Sequence, residues 1–174
     1  MKNLMSLPAF IFLIQLVFHP ICHCKVMFPM DANLIDQTCR KTPNYKLCVS
    51  SLKSDPRSKS ADVRGLALVM VNVVKTKATT TLKRINELLK KTPRDDSLKD
   101  CHHMYLTILQ ADIVVANEAI TLGDPKFAEE SMNDAGIEAT NCENNFKGRT
   151  PLTHLNRDVT NVSGVAAAIV RILL

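Results

Sequence analysis

The 174-residue chain has no tryptophan, two tyrosines and five glycines. With so little glycine there is no glycine-rich loop of the kind that cradles phosphates, and no serine stands on a nucleophile elbow. There is no C-x-x-C pair. His102 and His103 follow Cys101, but neighbours on a helix project ~100° apart and cannot grip one ion together. No cofactor and no metal site are therefore expected. Alternation of polar and apolar residues over a useful length is also missing, which argues against a sheet. No basic run is interleaved with aromatics, and the formal charge of +5 is mild. Nucleic acid is a poor partner for such a chain. Beyond the first 24 residues no apolar run reaches the ~20 residues that a bilayer-spanning helix needs, so no membrane contact is expected.

What the chain does have begins with Lys2 and an apolar run from Leu7 to Phe18, broken only by Gln15. Cys22 and Cys24 follow as small residues two apart. A positive start, a short apolar core and small residues at this spacing make a secretory signal peptide, residues 1–24, cleaved after Cys24. Residues 25–174 remain, enough for one domain with a real core. Their charge is +4 once Lys2 is gone. Four cysteines stay in this part: Cys39, Cys48, Cys101 and Cys142. An even number in a secreted chain reads as a disulfide framework, with three possible connectivities.

Apolar residues recur at spacings of three and four, the period of an amphipathic helix. Val63, Leu66, Met70, Val74, Ala78, Leu82, Ile85 and Leu89 form one stripe, ending at Pro93. Leu98, Cys101, Tyr105, Ile108, Val115, Ala119 and Leu122 form a second, with an unexplained polar gap at Asp112. Ala128, Met132, Ala135, Ala139, Cys142 and Phe146 form a third. Leu152, Leu155, Val159, Val162, Ala166, Ile169 and Leu173 form a fourth. Each stripe needs a partner, and four such helices with short links make a bundle. The expected fold is all-α: an up-down four-helix bundle over residues 59–174, preceded by an N-terminal helical hairpin over residues 25–58, with two disulfides. The hairpin segment is too short to hold a core alone and must dock on the bundle.

The second and third helices meet at Leu122-Gly123-Asp124-Pro125. Gly123 suits the left-handed position that ends a helix. Asp124 suits the N-cap, and Pro125 the first turn. Almost no loop is left, so the two helices fold back as an antiparallel hairpin. With the turn centred near Gly123, Cys101 lies level with position 145, and Cys142 is about 4.5 Å of rise away. Cys101–Cys142 is therefore the expected bridge, and Cys39–Cys48 is left as the other. By the chain-entropy account the larger loop contributes ~3–4 kcal/mol.

Two residues at this turn run against local preference. Phe127 shares its helix face with Ser131, Asp134, Glu138, Asn141 and Asn145, all polar. The buried stripe begins one residue later, at Ala128, so Phe127 projects outward as a candidate partner anchor or packs beneath the N-terminal hairpin. Lys126 places a cation in a helix's first turn, facing the positive end of the dipole, at a cost of ~0.3–1 kcal/mol. On its own it reads as a solvated lysine. Asn161-Val162-Ser163 is a glycosylation sequon on the fourth helix, on the face away from the apolar stripe.

At this point the residues resemble a known family. Leu34-Ile35, Thr38-Cys39, Thr42, Tyr45, Cys48, Leu52, Ser54-Asp55, Asp62 and Leu66-Ala67 are similar to its opening pattern. Leu98, Cys101 and Tyr105 resemble the start of its middle helix, and Cys142 and Phe146 the end of the next. The family is that of the plant invertase and pectin methylesterase inhibitors. The resemblance implies an inhibitor rather than an enzyme, and the same two bridges. The invertase-directed branch carries a Pro-Lys-Phe motif at a turn between bundle helices, matched here by Pro125-Lys126-Phe127. It implies a partner surface of Asp124, Pro125, Lys126 and Phe127, with Lys126 reaching the acidic site of an acid invertase in a 1:1 complex. No small-molecule ligand is expected. Secretion to the apoplast and cell wall follows, with the vacuole as the alternative. A pectin methylesterase inhibitor is the nearest rival reading, and a non-inhibitory helical-bundle binding protein a more distant one.

Overall fold

The computed structural model describes residues 30–146 and 150–174; the leader expected at 1–24 lies outside them. A short helical hairpin comes first, α1 (Met30–Cys39) and α2 (Tyr45–Ser54). A 3₁₀ turn, Pro56–Ser60, leads into α3 (Val63–Lys91). Then come α4 (Asp96–Thr107), a π-helical turn (Ile108–Asp112) and α5 (Ile113–Leu122), continuous as one rod. Finally α6 (Pro125–Asn144) and α7 (Thr153–Arg171) complete the bundle.

Helix starts are written in the sequence. Asn44, Asp62 and Asp95 each turn a side-chain oxygen back onto a first-turn amide, of Leu47, Gly65 and Leu98, at 3.1, 2.8 and 3.0 Å. Such caps are worth ~1 kcal/mol each. Lys90 and Lys91 close α3 with charge suited to its C-terminus. The four rods pack in a ring in which α3 meets α4–α5 and α7, and α6 meets α4–α5 and α7. The core runs from Leu66, Met70, Val74, Ala78 and Ile85 of α3 to Met132, Ala135 and Ala139 of α6 and Val159, Val162, Ala166 and Ile169 of α7.

Both bridges are present. Cys39–Cys48 closes the hairpin with a Cα separation of 5.5 Å, and Cys101–Cys142 joins α4 to α6 at 4.8 Å. Ile35, Thr38 and Leu52 are buried, and the hairpin rests against α3 and α7. Within it, Thr42 Oγ1 donates to Cys39 O at 2.8 Å, and Tyr45 Oη and Arg40 both donate to Asp36.

The second stripe departs from its expected register. Leu98, Cys101, Tyr105 and Ile108 are buried as foreseen, but Val115 is 41% and Leu122 83% exposed. The cause is the π turn, in which Ile113 N–H donates to Ile108 O, five residues back. One extra residue is accommodated there, so the centre of the buried face moves on by one, although Ala119 stays buried as foreseen. Ile113, Ala116 and Ile120 occupy the core instead. Asp112 sits in the turn itself. A second correction concerns membranes. The rod Asp96–Leu122 is, by length and composition, apolar enough to cross a bilayer, although the sequence reading found no such stretch. Here its inner face packs against α3 and α6, and the Cys101–Cys142 bridge ties it into the bundle.

Candidate functional site

The α5–α6 turn occupies one end of the bundle. Gly123 adopts φ 85°, ψ 28°, the left-handed conformation, and is the lone positive-φ residue among those described. Its N–H and that of Asp124 both donate to Ala119 O, at 3.0 and 2.8 Å. The second of these is the six-to-one bond that closes a helix before a chain reversal. The neighbouring carbonyl, of Ile120, accepts from Arg64 Nη1 of α3 at 3.0 Å. A guanidinium thus caps the negative end of α5. Pro125 then opens α6. Asp124 stands at the N-cap as expected, but its side chain makes no capping bond.

Phe127 is 56% exposed, so it does not pack beneath the hairpin. Its neighbours on that face are less uniformly solvated than the sequence implied. Ser131 is buried and donates to Phe127 O at 2.9 Å, because a helix hydroxyl can satisfy itself on the carbonyl four residues back. Lys126 is exposed. None of the ion pairs among the described residues involves it. The nearby Glu129 is taken by Arg171, from the C-terminal end of α7. Between Ile113 and Asn144 Lys126 is also the one cation in the sequence; every other charge there is acidic.

Two contributors escaped the sequence reading. Arg64 braces the turn from α3, and nothing local in the sequence marks an arginine at that helix start as a cap for a distant one. Leu122 was assigned to the core but stands beside the turn as its most exposed large apolar side chain. Asp112 and its unexplained gap could have flagged the register change, since a carboxyl on an apolar stripe signals a helix that does not stay regular.

Asp112 is 8% exposed, and its Oδ2 has no hydrogen-bond partner among the described residues. Burial pushes its pKa up to about 6, with Asp134 and Glu138 of α6 adding to the rise. Glu138 is raised as well, by burial and by Asp134. On the far side of α6, Gly136, Ile137 and Thr140 line a groove of 440 Å³ shared with Thr160 and Gly164 of α7. At the other end of α6, Glu143 accepts from Thr153 Oγ1 and Asn156 Nδ2 at 2.6 and 2.7 Å, and Asn156 Oδ1 accepts from the buried Tyr105 hydroxyl at 2.8 Å. That network secures the α6–α7 connection. Asn161 is exposed on α7. Among the described residues no group of three or more potential metal ligands is placed to hold an ion.

The end-on turn thus combines a braced backbone with an exposed cation that forms no ion pair among the described residues. Residues 33–169 match the family model described as plant invertase/pectin methylesterase inhibitor. The chain is 46% identical over 140 residues to the cell wall / vacuolar inhibitor of fructosidase 1 of Arabidopsis thaliana, spanning 80% of this chain and 68% of that one. It is 28% identical over 162 residues to a putative invertase inhibitor of Platanus orientalis, spanning 85% and 94%. It is 31% identical over 122 residues to the pectinesterase inhibitor of Actinidia deliciosa, spanning 68% and 65%. Its fold superposes on the crystal structure of a mutant form of a pectin methylesterase inhibitor from Arabidopsis with a TM-score of 0.69 at 20% identity, over 80% of this chain and 97% of that one. The chain belongs to the plant invertase and pectin methylesterase inhibitor family.

Proposed function

We propose that the chain inhibits an acid invertase (a β-fructofuranosidase) by seating the Asp124-Pro125-Lys126-Phe127 turn in the mouth of the sucrose-cleaving site. The observation that carries this reading is Lys126. It is an exposed, unpaired ammonium on a braced turn, and the one positive charge on a pair of otherwise acidic helices. Glycoside hydrolases work with a pair of carboxylates, and an ammonium held at the tip can pair with the ionised one and exclude substrate. Phe127 adds an exposed aromatic anchor next to it. Because Gly123, Arg64 and Pro125 fix the backbone beforehand, little freedom beyond the lysine's own is lost on binding. The names of the relatives from Arabidopsis and Platanus support the same target.

The complex is 1:1, formed after secretion along the route that the leader at 1–24 specifies, in the cell wall or the vacuole, with Asn161 open to glycosylation. The test is titration of the oxidised chain against a purified acid invertase, with pectin methylesterase in parallel. Loss of invertase activity that Lys126→Ala, Phe127→Ala fails to produce is the expected result. The pectinesterase inhibitor from Actinidia among the relatives supports the second reading, and inhibition of the pectin enzyme alone would establish it instead.

A further inference from the structure

A four-residue tip is too small to hold a protein partner. Stable complexes bury ~800 Å² on each side, several times what one turn can offer. The surface beside the tip therefore has to take part, and the two edges of α6 differ in what they present.

At ~100° per residue, Phe127, Asp134 and Glu138 fall on one edge of α6. Asp134 and Glu138 are the acids that act on Asp112 of the π turn, so this edge borders α5. Gly136 and Thr140 lie on the opposite edge, along the groove with α7, and Ile137 stands on the outward face between the edges, lining the same groove. On α5, Val115 and Leu122 are seven residues apart, two turns along one face. Both point outward because the π turn has moved the core positions on by one. Val114 is exposed at 43% next to them. The α5 side of the tip is thus an apolar shelf running from Leu122 back to Val115 and flanked by Phe127, whereas the α7 side offers an open groove of mostly small and polar residues.

From this geometry we infer that Val115 and Leu122 of α5 extend the tip into a shelf that docks an apolar rim beside the acidic mouth of the same invertase. The inference rests on the proposed function. The part of the rim that meets Leu122 and Val115 is apolar, because Glu118 is the one charge between the two residues on α5, while Asp134 and Glu138 stand on the bordering edge of α6. Lys126 then fixes the pocket, and Leu122 and Val115 select the enzyme whose pocket has such a rim. Both side chains already stand in solvent, so replacing them leaves the core untouched.

The experiment measures affinity and dissociation rate for one acid invertase with the full oxidised chain and with Leu122→Asn, Val115→Asn, Ile137→Asn and Lys126→Ala, checking thermal midpoints in parallel. Leu122→Asn is expected to weaken binding ~10-fold or more and Val115→Asn ~3–10-fold, mainly through faster dissociation, as for exposed apolar anchors. Ile137→Asn, on the outward face of α6 beside the α7 groove, should bind like the parent. Parent-like binding by both α5 variants alongside a weakened Lys126→Ala would overturn the shelf and leave the proposed function standing. Equal weakening by Ile137→Asn would overturn the shelf by placing the contact on the α7 side. A parent chain that is folded but does not bind invertase would overturn both.

Discussion

Asp112→Asn should make the protein more stable at neutral pH and leave it nearly unchanged in acid. The carboxyl is 8% exposed, lacks a partner for Oδ2 and faces Asp134 and Glu138. Its folded pKa of about 6 lies above the unfolded value of 3.8. Between those values the folded chain holds more protons than the unfolded one, so stability falls as pH rises through the interval. Below it the carboxyl is neutral in both states and costs nothing extra. Above it the penalty is constant. Two units at ~1.4 kcal/mol each give a penalty of about 3 kcal/mol at neutral pH. For a domain of this size each kcal/mol moves the thermal midpoint by ~2–4 °C. An asparagine keeps the shape, removes the charge and offers amide hydrogens to the facing carboxylates. Its midpoint should exceed the parent's by ~5–10 °C at about pH 7.5 and by no more than ~2 °C at about pH 4. The assay is paired thermal unfolding across that range with the disulfides intact. Asp36, Asp55 and Asp96, held low first by hydrogen bonds from Tyr45, Arg57 and Lys99 respectively, act with the opposite sign but only as pH falls towards and below their unfolded values. They leave the higher interval to Asp112 and, on α6, to Glu138. An equal gain at both pH values would refute the reasoning, because the gain would then come from packing rather than from proton linkage.

Gly123→Ala forces a side chain into φ 85° and should cost ~1 kcal/mol or slightly more, read as a lower denaturant midpoint with unchanged m-value. Cys101→Ser with Cys142→Ser removes the larger loop closure and should lower stability by ~2–5 kcal/mol, measured by denaturation under non-reducing conditions. Tyr105→Phe deletes the hydroxyl that Asn156 Oδ1 accepts from at 2.8 Å and should cost ~1–3 kcal/mol, again by denaturant unfolding.

Where the pattern is carried by period alone, the sequence proved legible. Stripes on α3, α6 and α7 read correctly because a regular helix repeats its buried positions without interruption. Gly123 and Pro125 marked the tight turn because each supplies a backbone conformation that few other residues tolerate. That turn placed Cys101 opposite Cys142, and the bridge followed. Beyond Ile108 the second stripe held at Ala119 but failed at Val115 and Leu122, because a π turn depends on how the whole rod fits between α3 and α6. Asp112 was the one local symptom. Ser131 was misjudged because its hydroxyl is satisfied within its own helix, so its burial leaves no mark on the polar pattern. Arg64, reaching 56 residues along the chain to Ile120, and the Tyr105–Asn156–Glu143 network depend on tertiary neighbours that no local spacing encodes.

A π turn is what a one-residue insertion leaves behind when a helix has to keep both its ends in place. Here one end is held by the Cys101–Cys142 bridge and the other by the Gly123 turn with Arg64 upon it. A single-residue deletion within Ile108–Asp112 would therefore be tolerated by the hydrogen-bond ladder, which would relax to a plain α-helix. The surface would be spared as well. With the extra residue gone, Ile113, Ala116 and Ile120 would keep the core positions they hold now, whereas straightening the turn without a deletion would rotate everything from Ile113 to Leu122 by ~100°, drawing Val115 and Leu122 inward. The π turn thus confines the extra residue to the middle of the rod and shields the face beside the tip from it.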